Sequence, residues 1–344
     1  MSSHEGYAAS FQDIQRAAER IAPHIHTTPV WQNATLDNLA GQQLFFKCEM
    51  LQKTGAFKYR GACNAIFSLP ADVAPNGVAT HSSGNHAAAI ARAAQARSIP
   101  AFIVLPSNTP QCKIDAVKEY GGIITMCPPG MDAREAACKR VIAETGATFV
   151  PPYNHPQVIA GQGTIALELL QQVPDLDAIV VPVSGGGMIS GISICCKHLA
   201  RGSQQTSDPQ QQQQQQQQQF PQSPLVSCKP GLKVIAAEPV GRQGRLGDLT
   251  WPCVRDLVAG VVTVSEAEIV DAMRHVYERM KLVVEPSGAV GLAAVLTPAW
   301  RELCAHGGIL HGCKKVGVIL CGGNVDLGAL GLWDSLRRAS VDTL

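Results

Sequence analysis

Short β-branched runs alternate with alanine-rich helical segments along this chain, and this alternation constrains the fold more than any other feature. The pairs are VATH with HAAAIARAAQA, AFIVLP with CKIDAVKEY, IITMC with AREAACKRVIAE, and AIVVPV with GMISGISICCKHLA. A regular exchange of strand and helix is typical of βαβ units, whose strands lie parallel in one sheet. The sequence therefore predicts an α/β protein with mostly parallel sheets.

Length predicts more than one compact unit. A chain of 344 residues with 46% hydrophobic side chains is long enough for two cores. Residues 77–151 contain three consecutive strand-helix units, so they are predicted to form a small domain between the two parts of a large domain, 1–76 and 152–344. A glutamine run at 210–219 interrupts the alternation, and the Ser/Pro/Gln-rich segment 202–230 is predicted to be a disordered insert.

Charge and composition narrow the class of partner. Lysine and arginine total 28 against 27 acidic residues, so no strong field attracts nucleic acid or anionic lipid. No apolar run is long enough to span a bilayer, and MSSHEGYAAS does not read as a secretion signal. We therefore expect a cytoplasmic protein that acts on a small molecule. The twelve cysteines include no pair of CxxC units, so they are predicted to be reduced thiols rather than zinc ligands.

The motif SGGGM at 184–188 follows one predicted strand and opens the next helix. Glycines allow backbone N–H groups to approach an anion closely, and a helix N-terminus carries partial positive charge. A phosphate is the expected ligand, and a plain flexible turn is the alternative. A dinucleotide is less well supported, because the spacing only approximates GxGxxG and no acidic residue follows at the distance that a ribose requires.

Two further motifs complete a candidate site. HSSGNH at 81–86 lies at another strand-to-helix turn, where serine, asparagine and free N–H groups can hold a carboxylate or a ring hydroxyl, or can simply cap the helix. In QKTGAFKYRGA, Lys58 lies beside Phe57 at the start of an apolar helix. A lone lysine is usually a solvated surface group, but a desolvated one has a lowered pKa and can form a Schiff base. A lysine with a phosphate site and a carboxylate site indicates a pyridoxal phosphate enzyme.

The chain resembles the fold type II pyridoxal phosphate enzymes, in the family of serine and threonine dehydratases. The resemblance covers residues 11–327 and rests on FFKCEMLQKTGAFKYRGA, THSSGNHAAA, VIAGQGTIALE, VPVSGGGMISG, ERMKLVVEPSGAVG and LCGGNVDL. It implies a fold like that of the tryptophan synthase β subunit, with two three-layer α/β/α domains and pyridoxal 5'-phosphate as cofactor.

The same resemblance implies roles for particular residues. Lys58 matches the Schiff-base lysine, and Ser83 matches a second acid-base group on the opposite face of the substrate Cα. The implied cofactor contacts are Phe57, Lys58, Asn85, Ser184, Gly185, Gly186, Gly187, Met188, Glu285 and Cys321. The implied substrate contacts are Ser82, Ser83, Asn85, His86 and Arg134.

Two of these positions depart from the family pattern. Ser184 stands where the family has glycine, and Cys321 stands where relatives commonly have a serine that faces the pyridine nitrogen. Backbone N–H donation is unaffected by the first change, whereas a thiol is the weaker hydrogen-bond partner. No carboxylate is expected at the pyridine nitrogen, so the ring is predicted to be a moderate electron sink.

The implied activity is the interconversion of L- and D-serine, with β-elimination of serine to pyruvate and ammonia as a second reaction. Threonine or 3-hydroxyaspartate dehydration is the alternative reaction. A catalytically impaired, cofactor-binding protein is a further alternative, because only twelve residues separate Glu238 from Trp251 where relatives have several tens.

Relatives also imply regulatory ligands and a homodimer. A divalent cation, Mg²⁺ or Ca²⁺, is expected at Glu238, although the position of its second ligand is occupied by Gly244. ATP is the implied effector, and its matching positions are Lys53, Thr54, Tyr120, Lys281 and Asn324.

Overall fold

The computed structural model describes residues 6–205, 228–241 and 245–326, and it contains ten strands within that part of the chain. The strands are β1 (Val30–Trp31), β2 (Gln43–Cys48), β3 (Val78–His81), β4 (Ala101–Pro106), β5 (Ile123–Cys127), β6 (Thr148–Phe149), β7 (Ala178–Pro182), β8 (Lys233–Pro239), β9 (Gly260–Val264) and β10 (Lys315–Leu320). Most of the predicted glutamine-rich insert, residues 206–227, lies outside the described residues, as does Gly244.

Twelve α-helices alternate with these strands in the described ranges. They are α1 (Phe11–Ile21), α2 (Ala34–Ala40), α3 (Lys58–Phe67), α4 (Asn85–Arg97), α5 (Gln111–Glu119), α6 (Met131–Thr145), α7 (Pro156–Gln172), α8 (Gly187–Gln205), α9 (Trp251–Leu257), α10 (Glu266–His275), α11 (Pro286–Leu296) and α12 (Pro298–Cys304). None of the helices in these ranges is both long enough and apolar enough to cross a membrane.

The strands form two separate sheets. The first has six strands in the order β1-β2-β10-β7-β8-β9, and only the β1–β2 pair is antiparallel. The second has four parallel strands in the order β5-β4-β3-β6, all drawn from residues 78–149. The predicted α/β class with mostly parallel sheets is confirmed.

Both faces of the first sheet are covered, as the side-chain pattern of β7 shows. Ile179 and Val181 pack into one hydrophobic cluster with α1, α7 and α8. Ala178 and Val180 point to the other face and pack with α10 and α11. Strand side chains alternate between faces, so an uninterrupted apolar strand is the expected sequence of a sheet buried on both sides.

The carboxyl ends of the strands are where the candidate motifs lie. HSSGNH follows β3, SGGGM follows β7, and LCGGN follows β10. In open α/β sheets, ligands bind in the crevice beyond the carboxyl ends of the strands. The topology therefore places the three motifs at the carboxyl ends of the strands, where a ligand site is expected.

Candidate active site

A cleft of about 620 Å³ lies beyond the carboxyl ends of strands from both sheets. Its volume falls in the range of small-molecule and cofactor sites. Residues that follow β3, β7, β8 and β10 line it. The predicted site residues among its lining are Phe57, Lys58, Ser82, Asn85, His86, Ser184, Gly185, Gly186, Gly187, Met188, Glu285 and Cys321.

Lys58 is the first residue of α3, and its side chain turns into the cleft. Its Nζ donates a hydrogen bond to the Pro152 carbonyl at 2.7 Å and lies 4.9 Å from the centroid of the Phe57 ring. Burial lowers the pKa of the Lys58 ammonium to about 8, and Cys321 opposes this shift only in part. An amine with this pKa is partly neutral near pH 7, as a nucleophile toward an aldehyde must be.

Two contacts fix the start of α3. The Phe57 N–H donates to the Cys321 carbonyl at 3.0 Å, and Ala56 forms a bridge with Gly322, so the end of β10 positions the residue that precedes Lys58. On the other side, α3 packs closely on α7, where a Cβ on Gly61 would lie 2.9 Å from the Val158 carbonyl oxygen. The lysine thus projects from a helix that is held at both its start and its flank.

The glycine-rich loop between β7 and α8 exposes its backbone to the cleft. The N–H groups of Gly185, Gly186 and Gly187 have no backbone carbonyl acceptor among the described residues. Gly186 has a φ of +89°, and a Cβ on Gly185 would lie only 2.2 Å from Cδ1 of Tyr153. Free amides at the start of a long helix bind anions, so the loop fits a phosphate group.

Asn85, at the turn after β3, is held by two partners. Its Nδ2 donates to Glu285 Oε1 at 2.7 Å, and its Oδ1 accepts from Asn324 Nδ2 at 2.9 Å. Ser287 Oγ also donates to Glu285 Oε1, at 2.6 Å. The turn is therefore connected to the segment that opens α11 and to the segment that follows β10.

His86 and Cys321 contribute neutral groups to the cleft. Burial lowers the pKa of His86 to about 3, and the neighbouring Lys58 charge adds to this effect. Its Nε2 lies 2.9 Å from the Val150 carbonyl oxygen, which only accepts, so the proton resides on Nε2. Burial also raises the pKa of the Cys321 thiol, which donates to the Ser287 carbonyl at 3.2 Å.

Other predicted site residues do not line the cleft. Ser83 is half-buried in the same turn as Ser82, but the lining does not include it. Arg134 lies in the first turn of α6, where its Nε donates to the Gly130 carbonyl at 3.3 Å. Burial lowers the pKa of His81 at the end of β3, and the charges of Glu135 and Arg134 act on it in opposite directions.

The residues matched to the effector and metal sites lie outside the cleft lining. Asn324 Nδ2 donates to the Thr54 carbonyl at 2.7 Å, whereas no hydrogen bond or ion pair between described residues joins Tyr120, Lys53 or Lys281 to this pair. Glu238 lies near the end of β8. Across residues 6–205, 228–241 and 245–326, no three histidine, cysteine or acidic side chains converge on a metal position.

The sequence analysis missed several groups that shape the cleft. Pro152 and Tyr153 line it; the Pro152 carbonyl accepts from Lys58 Nζ, and the Tyr153 ring packs against Gly185. Neither belongs to a motif, and the aromatic residue in PPYNH was the only available signal. The contact of Thr250 with the glycine-rich loop was missed for the same reason.

These features define a protein whose cleft combines a buried lysine with an amide-lined loop that fits a phosphate group. The profile of the pyridoxal-phosphate dependent enzymes matches residues 21–322, and the chain belongs to this family. The fold type II architecture expected from the resemblance is therefore confirmed.

The chain is similar over nearly its whole length to individual members of the family. The chain is 48% identical over 333 residues to a serine racemase of Oryza sativa subsp. indica, covering 97% of this chain and 95% of that protein. It is 45% identical over 324 residues to a β-hydroxyaspartate dehydratase of Paracoccus denitrificans (strain Pd 1222), covering 94% and 99%. The solved structure of maize serine racemase is similar, with a TM-score of 0.83 at 42% identity, covering 98% of this chain and 99% of that one.

Proposed function

We propose that this chain interconverts L- and D-serine with pyridoxal 5'-phosphate, and that it also eliminates water from serine to give aminoacrylate, which water then hydrolyses to pyruvate and ammonia. One observation carries the proposal. A lysine with a pKa lowered to about 8 shares a cleft with an amide-lined phosphate loop and with the serine-rich turn after β3. The extended similarity to serine racemases supports the choice of substrate.

The residues that would hold the cofactor are those that the family resemblance implies and that line the cleft. The amides of Gly185, Gly186 and Gly187 would bind its phosphate, and Phe57 would contact its ring. Asn85 would face the ring hydroxyl, and Cys321 the ring nitrogen. When bound, the cofactor supplies an electron sink that acidifies the Cα–H bond of an amino acid.

Two different groups would transfer protons on the two faces of the substrate Cα. On one side, the neutral Lys58 amine removes the Cα proton of L-serine and becomes an ammonium. On the other side, the Ser83 hydroxyl donates its proton to Cα, and the configuration inverts. In the reverse direction, the Ser83 alkoxide takes the Cα proton and the Lys58 ammonium returns one. Elimination from L-serine begins with the same proton removal by Lys58, and the β-hydroxyl then takes up a proton from the Lys58 ammonium and leaves as water.

The turn after β3 would bind the substrate carboxylate. Ser82 and the N-terminal amides of α4 supply donors, and Arg134 supplies a positive charge near the end of β3. His86 stays neutral because its pKa is about 3, so it adds no second positive charge that would compete with Arg134 for the substrate carboxylate. Dehydration of threonine or 3-hydroxyaspartate is the second candidate function, and the Paracoccus relative favours it.

The proposal extends to the organisation of the protein. Residues 77–151 form a small domain, and 1–76 with 152–344 form a large one, as the separate four-stranded sheet suggests. The protein is a cytoplasmic homodimer. ATP binds near Lys53, Thr54, Tyr120, Lys281 and Asn324, and Mg²⁺ or Ca²⁺ binds at Glu238.

Chiral analysis of the products tests the reaction. Purified protein with added cofactor and L-serine should yield D-serine and pyruvate. Threonine and 3-hydroxyaspartate should be turned over more slowly than serine, which would identify serine as the preferred substrate. Dehydration of 3-hydroxyaspartate without D-serine formation would favour the alternative reaction. A bound cofactor with no turnover of any substrate would identify an impaired protein.

The Ser83→Ala variant tests the proposed arrangement of the two groups. It should suppress D-serine formation while pyruvate formation from L-serine continues, because only Lys58 starts that elimination. Elimination from D-serine should fall, since its Cα proton points toward Ser83. Ser68→Ala is the matched control, because the Ser68 hydroxyl donates to the Ala65 carbonyl at the end of α3. Racemisation at the parent rate in Ser83→Ala would contradict the assignment.

A further inference from the structure

Residues 245–250, which precede α9, pack against the glycine-rich loop on the side away from the cleft. Thr250 is fully buried in this segment. Its hydroxyl lies 2.8 Å from the Gly185 carbonyl oxygen and 3.1 Å from the Gly247 carbonyl oxygen, so it donates to the nearer one, and it accepts from the Gly247 N–H at 2.9 Å. Gly185 lines the cleft, whereas Thr250 is not part of the lining. Thr250 therefore contacts the glycine-rich loop on the side opposite the cleft.

Further contacts hold the same segment against both flanks of the loop. A Cβ on Gly186 would lie 2.7 Å from Leu246 Cδ2 and 2.8 Å from Thr250 Oγ1, so these side chains pack directly on its backbone. Ser190, in the first turn of α8, donates its hydroxyl to the Thr250 carbonyl at 3.3 Å. Thr250 is thus bonded to the residues before and after the bend at Gly186.

The segment also reaches the part of the chain that holds the lysine. The Leu249 N–H donates to Asn154 Oδ1 at 2.9 Å, and a Cβ on Gly247 would lie 2.3 Å from the same oxygen. Asn154 is two residues from Pro152, whose carbonyl accepts from Lys58 Nζ. Residues 245–250 therefore connect the phosphate loop to the turn that anchors Lys58.

Because a peptide group is planar, the contact between Thr250 and the Gly185 carbonyl also sets the direction of the Gly186 N–H. The Gly185 carbonyl and the Gly186 N–H belong to one planar, trans peptide group and point in opposite directions. A hydrogen bond that holds the carbonyl toward Thr250 therefore aims the N–H away from Thr250. Gly186 has no side chain to fix this orientation, so the peptide plane is held by the hydrogen bonds that its carbonyl accepts, from the Thr250 hydroxyl at 2.8 Å and from the Gly247 N–H at 3.4 Å.

We propose that Thr250 is a positioning residue whose hydroxyl aims the Gly186 N–H at the phosphate of the cofactor. This inference rests on the proposed role of the loop and adds a residue that itself touches neither cofactor nor substrate. The inference also gives a role to the short connection between Glu238 and Trp251, because residues 245–250 at the end of that connection hold the glycine-rich loop.

Cofactor affinity measured with and without the phosphate group tests the proposal. Equilibrium dialysis gives the Kd of pyridoxal phosphate and of pyridoxal for the parent protein, Thr250→Val and Thr250→Ser. Thr250→Val keeps the shape and removes the hydroxyl, whereas Thr250→Ser keeps the hydroxyl. Loss of the hydroxyl leaves the Gly185 carbonyl with only the longer hydrogen bond from the Gly247 N–H at 3.4 Å, and this should weaken pyridoxal phosphate binding about tenfold.

Thr297→Val is the matched control. Thr297 is also a buried threonine, and its hydroxyl donates to the Ala294 carbonyl at 2.8 Å and accepts from the Trp300 N–H at 3.2 Å. It caps α12, and it is not part of the cleft lining. This variant loses an equivalent pair of hydrogen bonds, so it should destabilise the protein without changing the affinity for either ligand.

The two ligands separate positioning from general damage. Selective loss of pyridoxal phosphate affinity in Thr250→Val, with pyridoxal affinity unchanged and recovery in Thr250→Ser, supports the proposal. An equal loss for both ligands, or no loss for either, overturns it. If Thr250→Val does not fold, Thr250→Ala decides, because it removes the same hydroxyl without placing a methyl group 2.8 Å from the Gly185 carbonyl oxygen, and it should give the same selective loss. A parent protein that binds neither ligand would instead contradict the proposed function.

Discussion

The pKa of Lys58 predicts how the rate of cofactor capture depends on pH. Only the neutral amine bonds to an aldehyde, and with a pKa of about 8 roughly a tenth of the Lys58 side chains are neutral at pH 7. A solvated lysine with a pKa of about 10.4 would be neutral in only about 0.04% of molecules at the same pH. Burial therefore raises the reactive fraction by a factor of a few hundred.

The assay mixes cofactor-free protein with pyridoxal phosphate between pH 6.5 and 9.5 and follows the absorbance of the covalent lysine adduct. Because deprotonation increases with pH, the rate should rise about tenfold per pH unit below pH 7.5 and level off above pH 8.5. An α-acetylated free lysine is the reference, and its rate should keep rising to pH 9.5. A protein rate that also keeps rising over the whole range would refute the reasoning.

Further predictions concern the loop and the buried ions. Gly185→Ala should weaken pyridoxal phosphate binding at least about tenfold, because the new Cβ lies 2.2 Å from Tyr153, and unchanged binding in equilibrium dialysis would contradict this. Arg60→Met should lower the free energy of unfolding by about 3–5 kcal/mol in urea, since it leaves the buried Glu49 carboxylate without the cation 2.7 Å away. Arg16→Met removes an exposed ion pair and should cost less than about 1 kcal/mol, so equal losses in the two variants would contradict the burial argument.

The fold class and the position of the phosphate loop could be predicted because both depend on local patterns. Apolar strands such as β7 read as buried on both faces, and a glycine-rich run after such a strand opens α8. The desolvation of Lys58 was one of two alternatives that Phe57 and the apolar helix left open, and the family resemblance favoured it. In each case the residues that decide the outcome are close neighbours along the chain.

Contacts between distant residues could not be predicted from the same patterns. Arg60 reads as a solvated charge, yet the fold buries it between Glu49 and Glu168, which is 108 residues away. Its environment depends on how α3, α7 and the end of β2 pack, and no local signal encodes that packing. The Pro152 carbonyl and the Thr250 hydroxyl were missed for the same reason, because both act through tertiary contacts.

Borohydride reduction of the protein loaded with pyridoxal phosphate, followed by peptide mass mapping, tests the central claim most directly. Reduction makes the bond between the cofactor and its lysine permanent, so the label identifies that lysine. The account predicts one labelled residue, Lys58, and no label in Lys58→Ala. Lys47 is the internal comparison, because it is also buried but is paired with Glu168. A label on Lys47 or any other lysine, or a label that persists in Lys58→Ala, would contradict the account.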